Sequence, residues 1–159
     1  MKKAFTGVAI LTFLIYIFAL YSLLLARGYK GYFWGGMPLA EYIKRFSNFI
    51  PFKTIISYIS GFFDRSMSRS VAVQNLAGNV LILMPMGFYL PFFIRKMAKL
   101  NIYALTVAAL IIIIEVTQML TRSGIIDVDD FILNMTGALI GFWICAHTPI
   151  RNLFKFRAY

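Results

Sequence analysis

IIIIEVTQMLTRSGIIDVDDFILNMTGALIG, residues 111 to 141, holds two apolar runs joined by a short polar turn. The first run reaches back to Ile102 and the second forward to Ala146. Each therefore approaches the roughly 20 helical residues that cross the hydrocarbon core of a bilayer. The stretch reads as a hairpin of two membrane helices. Within it, Glu115 follows four isoleucines directly, and Gln118, Arg122, Asp127, Asp129 and Asp130 come after it.

Two more runs, Phe5 to Ala26 and Val71 to Ile94, have the same character. The chain is 60% hydrophobic and 14% charged, too apolar for an ordinary soluble domain. The expectation is an all-α integral membrane protein, a single domain over 1–159. Its four transmembrane helices fall at about 5–26, 71–94, 102–121 and 131–147. The first run is too long for the apolar part of a signal peptide and no small-residue cleavage site follows it, so it counts as a helix.

Sixteen Lys and Arg stand against six Asp and Glu, a formal charge of +10. In a soluble chain that balance would suggest nucleic acid. Here the charges flank membrane spans, so anionic lipid headgroups are the expected partner and nucleic acid is not. With four spans, both termini and the 95–101 loop share one side. That set carries Lys2, Lys3, Arg95, Lys96, Lys99, Arg151, Lys155 and Arg157 and no acid, whereas the short 122–130 loop has three Asp and only Arg122. The positive-inside rule then makes the termini cytoplasmic and turns the 122–130 loop outward. Between the first two spans, ARGYKGYFWGG (26–36) suits a bilayer interface. LAEYIKRFSNFIPFKTIISYISGFF (39–63) mixes apolar and basic residues as a segment lying on the membrane would, and Pro51 divides it into two short helices.

Helical spacing gathers the polar residues into stripes. Glu115, Gln118 and Arg122 fall within about 60° of one another on the third helix, with Glu115 roughly 10 Å deeper than Arg122. Asp127, Asp130, Asn134, Gly137 and Gly141 share a stripe on the fourth, and its G-x-x-x-G allows another helix to approach closely. Asn75 and Asn79 lie one turn apart on the second, and Pro85 should kink that helix deeper in. All three stripes sit toward the outer leaflet, which predicts one shared polar cluster: Asn75, Asn79, Glu115, Gln118, Arg122, Asp127, Asp130 and Asn134.

Plainer readings compete with each signal. Acids ahead of an apolar run cap a helix, which explains any one of the three aspartates equally well. The asparagines can simply bond between helices. Glu115 cannot cap, because it lies mid-run, and an unpaired carboxylate there costs about 2.5–3.5 kcal/mol on insertion scales. It must be protonated, paired with a cation such as Arg65, Arg69 or Arg122, or in contact with water. Cys145 and His147 lie far from the cluster and lack a second ligand at metal spacing. No P-loop or dinucleotide-binding fingerprint is present.

Several motifs, in order, resemble the VanZ-like family: NFIPF at 48–52, NLAGNVLILMPMG at 75–87, EVTQ at 115–118, then Arg122, Asp127, Asp130, Asn134 and Gly137. Leu83 stands where that family usually has Phe. The resemblance implies a small multi-pass protein of the bacterial cell membrane, associated with low-level resistance to the glycopeptide teicoplanin, and it implies no mechanism. Three functions remain open. The cluster could bind a lipid-linked cell-wall precursor or a glycopeptide. It could belong to an intramembrane enzyme acting on a lipid phosphate, with Glu115, Asp127 and Asp130 catalytic and a divalent cation held by the aspartates. Or it could be purely structural and lock the four helices together.

Overall fold

In the computed structural model, residues 2–24 and 36–149 are described. The stretch 25–35 and the basic residues Arg151, Lys155 and Arg157 lie outside them, as does most of the predicted aromatic and glycine-rich interface segment. Among the described residues the regular structure is all helix, and four helical stretches, Ala4–Leu24, Arg69–Phe93, Leu100–Leu120 and Val128–His147, are long and apolar enough to cross a membrane. The predicted architecture stands, with small changes at the ends.

α1 spans Lys2–Leu24. Two short helices, α2 (Leu39–Phe46) and α3 (Lys53–Asp64), flank Pro51 as the sequence predicts. The second span consists of α4 (Arg69–Leu83) and α5 (Met86–Phe93), broken where Pro85 offers no N–H. At the break the Met84 amide reaches only to the Leu81 carbonyl at 3.3 Å, and the Gly87 amide to the Met84 carbonyl at 3.1 Å. The nearby Ile82 carbonyl accepts the Tyr16 hydroxyl of α1 at 2.7 Å. A 3-10 turn, Arg95–Ala98, leads into α6 (Leu100–Leu120), and α7 is Val128–His147. α7 starts three residues earlier than the apolar run does, because Asp127 is its N-cap and accepts from the Asp129 amide.

The core lies where α4, α5, α6 and α7 meet: Leu83, Met86, Tyr103, Val107, Ile111, Ala138 and Phe142. Tyr103 is fully buried and satisfies its hydroxyl on the Ala138 carbonyl at 2.9 Å. Three glycines let the backbones touch. A Cβ on Gly137 would sit 1.7 Å from the Val80 carbonyl oxygen, one on Gly141 would sit 2.0 Å from that of Met84, and one on Gly87 would sit 2.1 Å from the Phe142 amide nitrogen. The G-x-x-x-G read from the sequence is therefore a packing seam. Its other half is Gly87, across the Pro85 break.

α1 packs from outside through rings, Phe13 against Tyr89 and Phe93 at 5.0 and 5.1 Å and Tyr16 against Tyr89 at 5.6 Å. Its opposite face, including Val8, Leu11, Ile15 and Phe18, is exposed, as a lipid-facing surface would be.

Candidate functional site

The end of the bundle that carries α2, α3 and the α6–α7 turn also carries all six acids of the chain, two of them at Glu41 and Asp64. The remaining four divide into two groups with different work.

Asp127 and Asp129 hold the 47–55 segment. The backbone of Asn48 forms a parallel bridge to the start of α7, donating to the Ile126 carbonyl at 2.8 Å and accepting from the Val128 amide at 3.0 Å. Asp127 accepts from the Asn48 side-chain amide at 2.9 Å, from the Thr54 hydroxyl at 2.7 Å and from its own helix's Asp129 amide at 2.9 Å. Asp129, fully buried, accepts from the amides of Phe52, Thr54 and Ile55 at 2.5, 2.7 and 3.1 Å. Those are the first amides of α3, which have no partner within that helix. Asp129 thus caps a helix that begins more than seventy residues earlier. Phe52, the N-cap, is held at φ 65°, a left-handed conformation uncommon outside glycine. Asp127 is predicted as a ligand-cluster residue, and here its hydrogen bonds serve the fold.

Glu115 and Asp130 face a different space. Together with Asn79, Gln118 and Asn134 they line a cavity of about 40 Å³, whose apolar walls are Leu24, Leu83, Ile111 and Ile114. All four spans contribute. The space suffices for about three waters, at ~10–15 Å³ each. Each amide around it commits one of its two N–H groups to a named acceptor. Asn79 donates to Asp130, the Asn134 side chain to the Asp130 carbonyl at 2.8 Å, and Gln118 to the Leu24 carbonyl at 2.8 Å. Glu115, 8% exposed, accepts from the Asp127 amide at 3.4 Å. Among the described residues no lysine or arginine pairs with it. The cavity is thus lined by two carboxyls and three primary amides, each amide bringing an acceptor oxygen and a second N–H beyond the one already bonded.

Five of the eight predicted cluster residues therefore meet: Asn79, Glu115, Gln118, Asp130 and Asn134. Asn75 does not join them, since its side chain folds back to the Val71 carbonyl at 2.8 Å on its own helix. Arg122 is also elsewhere. The stripe that placed it beside Glu115 assumes a continuous helix, but α6 ends at Leu120, and Arg122 takes φ 54° just beyond. That is the position where helices usually place glycine to turn the chain away. Its guanidinium donates to the Met37 carbonyl at 2.7 Å and lies 5.9 Å from the Tyr42 ring, while Tyr42 donates to the Gly124 carbonyl at 3.0 Å. Arg122 and Tyr42 thereby lace α2 to the α6–α7 turn. Arg69, another candidate cation, lies 5.2 Å over the Phe62 ring.

From the sequence, Asn48 stands out only as the first residue of the NFIPF motif, with no role, and Thr54 and Tyr58 do not stand out at all. Asn48 and Thr54 are latch partners of Asp127, a role the NFIPF motif alone does not reveal. Tyr58, on α3, stands near the cavity's acids: burial, then the charges of Asp130 and Asp127, raise its phenol above the ordinary range, so it remains a neutral donor. Among the described residues, no three His, Cys, Asp or Glu side chains converge as a metal-ligand set.

A protein-family model described as VanZ/LLP1 matches residues 13–152, a range that includes every residue of the cavity and the latch. No curated protein and no solved structure matches the chain.

Proposed function

This chain belongs to the VanZ/LLP1 family, and from that premise we propose that it is a protein of the bacterial cell membrane whose four-helix cavity recognises the donor-bearing tip of a lipid-linked envelope component. The observation that carries this reading is the buried polar cavity, where the carboxyls of Glu115 and Asp130 and the side-chain amides of Asn79, Gln118 and Asn134 line one space. Such a lining favours an ammonium or hydroxyl group, which brings donors. A phosphate ester brings negative charge, and among the described residues the cavity lining sets no Lys or Arg beside its two carboxyls, so the phosphate-cleaving enzyme is the weaker reading. A purely structural role is supported less well, because the glycine seam and the Asp127 and Asp129 latch hold the bundle without Glu115. The cavity's size, about 40 Å³, fits the tip of a headgroup and not the whole of it.

The charge distribution supports an orientation with cytoplasmic termini and the cavity toward the outer leaflet, where lipid-linked wall precursors and glycopeptides are met. Low-level teicoplanin resistance follows from this reading as the expected phenotype of occupying or shielding such a precursor.

Two experiments test the proposal. In cells whose teicoplanin tolerance depends on this protein, Glu115→Gln and Asp130→Asn should leave its level in the membrane unchanged and abolish the tolerance. Removing one partner of a buried hydrogen bond costs about 1–3 kcal/mol, a weakening of roughly 5–150-fold. Retained tolerance in both variants would remove the cavity from the function. For the orientation, cysteines placed at Ser123 and Asn101 should react with an impermeant thiol reagent from outside and inside the cell respectively, and the reverse pattern would put the cavity in the inner leaflet.

A further inference from the structure

At the opposite end of the bundle, an apolar groove of about 480 Å³ runs between the start of α6 and the last turns of α7. Leu100, Thr136, Ile140, Trp143 and His147 line it. Its volume falls within the roughly 300–1,000 Å³ of pockets that hold a ligand. Thr136 donates its hydroxyl to the Ile132 carbonyl at 2.7 Å, so the polar atom is satisfied within the helix. Trp143 is 62% exposed and stacks on His147 at 4.9 Å, an aromatic pair at the end of a span where a bilayer interface would lie.

What distinguishes this groove from the rest of the apolar surface is the charge at its mouth. Leu100 directly follows Lys99, and the 3-10 turn before it carries Arg95 and Lys96, all three exposed. No acid occurs between Arg95 and Ile114 or between Phe131 and Tyr159, because all six acids belong to the other end of the bundle. α6 also begins here with no side chain capping its first amides, which adds the positive end of a helix to the same place. An occupant must therefore be apolar along most of its length and negative at one end.

We propose that this groove is a seat for one anionic phospholipid, with an acyl chain along Thr136, Ile140 and Trp143 and the phosphate at the Arg95–Leu100 turn. The inference is independent of the polar cavity and of which leaflet either end faces. The basic turn makes the headgroup contact. The apolar wall fixes the chain, so the bound lipid differs from the loosely held layer around any membrane protein.

The test uses the full chain with Trp34→Phe, which leaves Trp143 as the single tryptophan. It is reconstituted in vesicles of phosphatidylcholine and phosphatidylglycerol, one or the other brominated on its acyl chains. Brominated phosphatidylglycerol should quench Trp143 more strongly than brominated phosphatidylcholine at equal mole fraction. The combined variant Arg95→Gln, Lys96→Gln, Lys99→Gln should lower that preference by roughly tenfold. Thr136→Phe, which fills the groove and leaves the charges in place, should also reduce it. Equal quenching by the two lipids overturns the proposal. So does a preference that survives either the charge variant, which would put the phosphate elsewhere, or the groove-filling variant, which would show a diffuse annulus.

Discussion

Gly137→Ala is expected to lower the yield and stability of the folded protein sharply, whereas Gly78→Ala on the neighbouring helix is expected to be neutral or slightly stabilising. The two glycines look alike in the sequence, each inside an apolar helix. They differ in what a methyl group would meet. At Gly78 nothing lies within 4 Å, so alanine only gains the ~0.5–1 kcal/mol by which it exceeds glycine in a helix interior. At Gly137 the new carbon would lie 1.7 Å from the Val80 carbonyl oxygen and 2.6 Å from its carbon. These are backbone atoms, so no side chain can rotate aside, and α4 and α7 would have to separate along the seam that Gly141 and Gly87 continue. Overpacking in a core costs about 1–3 kcal/mol even where side chains can yield. Here the separation also pulls Leu83 and Met86 from Ala138 and Phe142 in the core, and the expected cost is about 3 kcal/mol or more, roughly a hundredfold in the folded-to-unfolded ratio. The measurement is the yield and thermal midpoint of monodisperse protein after detergent extraction. A Gly137→Ala variant as stable as Gly78→Ala would mean that the helices do not touch at this seam.

The contrast also locates what was legible in advance. Spans were readable because a bilayer demands long apolar helices and allows few alternatives. The G-x-x-x-G was readable because it repeats on one helix face, but its counterpart Gly87 lies on another helix, and spacing within a chain says nothing about that. Gathering Glu115, Gln118, Asp130, Asn134 and Asn79 needed only helical periodicity and a common depth. The same periodicity failed at Arg122, because one left-handed residue after Leu120 ends the helix on which the stripe was drawn. Asp127 was legible as a cap for the helix it precedes. Asp129 was not legible as the cap of α3, since that bond joins residues 129 and 52 and depends on how the 47–55 segment folds over the start of α7.

Asp129→Asn is the sharper test of that segment, and its expected effect is local. The carboxylate accepts three amides at the start of α3 with both oxygens, in a site with no exposure to solvent. Asparagine keeps one acceptor and turns an N–H₂ toward amides that need an acceptor themselves. Bonds to a charged group contribute about 1.5–3 kcal/mol each, and buried donors left unpaired cost about 1–3 kcal/mol more. Against this, release of Phe52 from its left-handed conformation recovers about 1–3 kcal/mol. The balance is a loss of about 3–5 kcal/mol in the docking of residues 47–55. The spans do not depend on this contact, since their core and glycine seam lie deeper, so the segment should open while the bundle stays folded. Trypsin reports this directly, because Lys53 lies beside the latch. Cleavage after Lys53 in detergent-solubilised Asp129→Asn should be roughly a hundredfold to a few thousandfold faster than in the parent protein, with the thermal midpoint of the bundle little changed. Cleavage at the parent rate would show that Asp129 does not hold the segment. A parallel collapse of the whole bundle would show instead that the latch and the four spans form one cooperative unit.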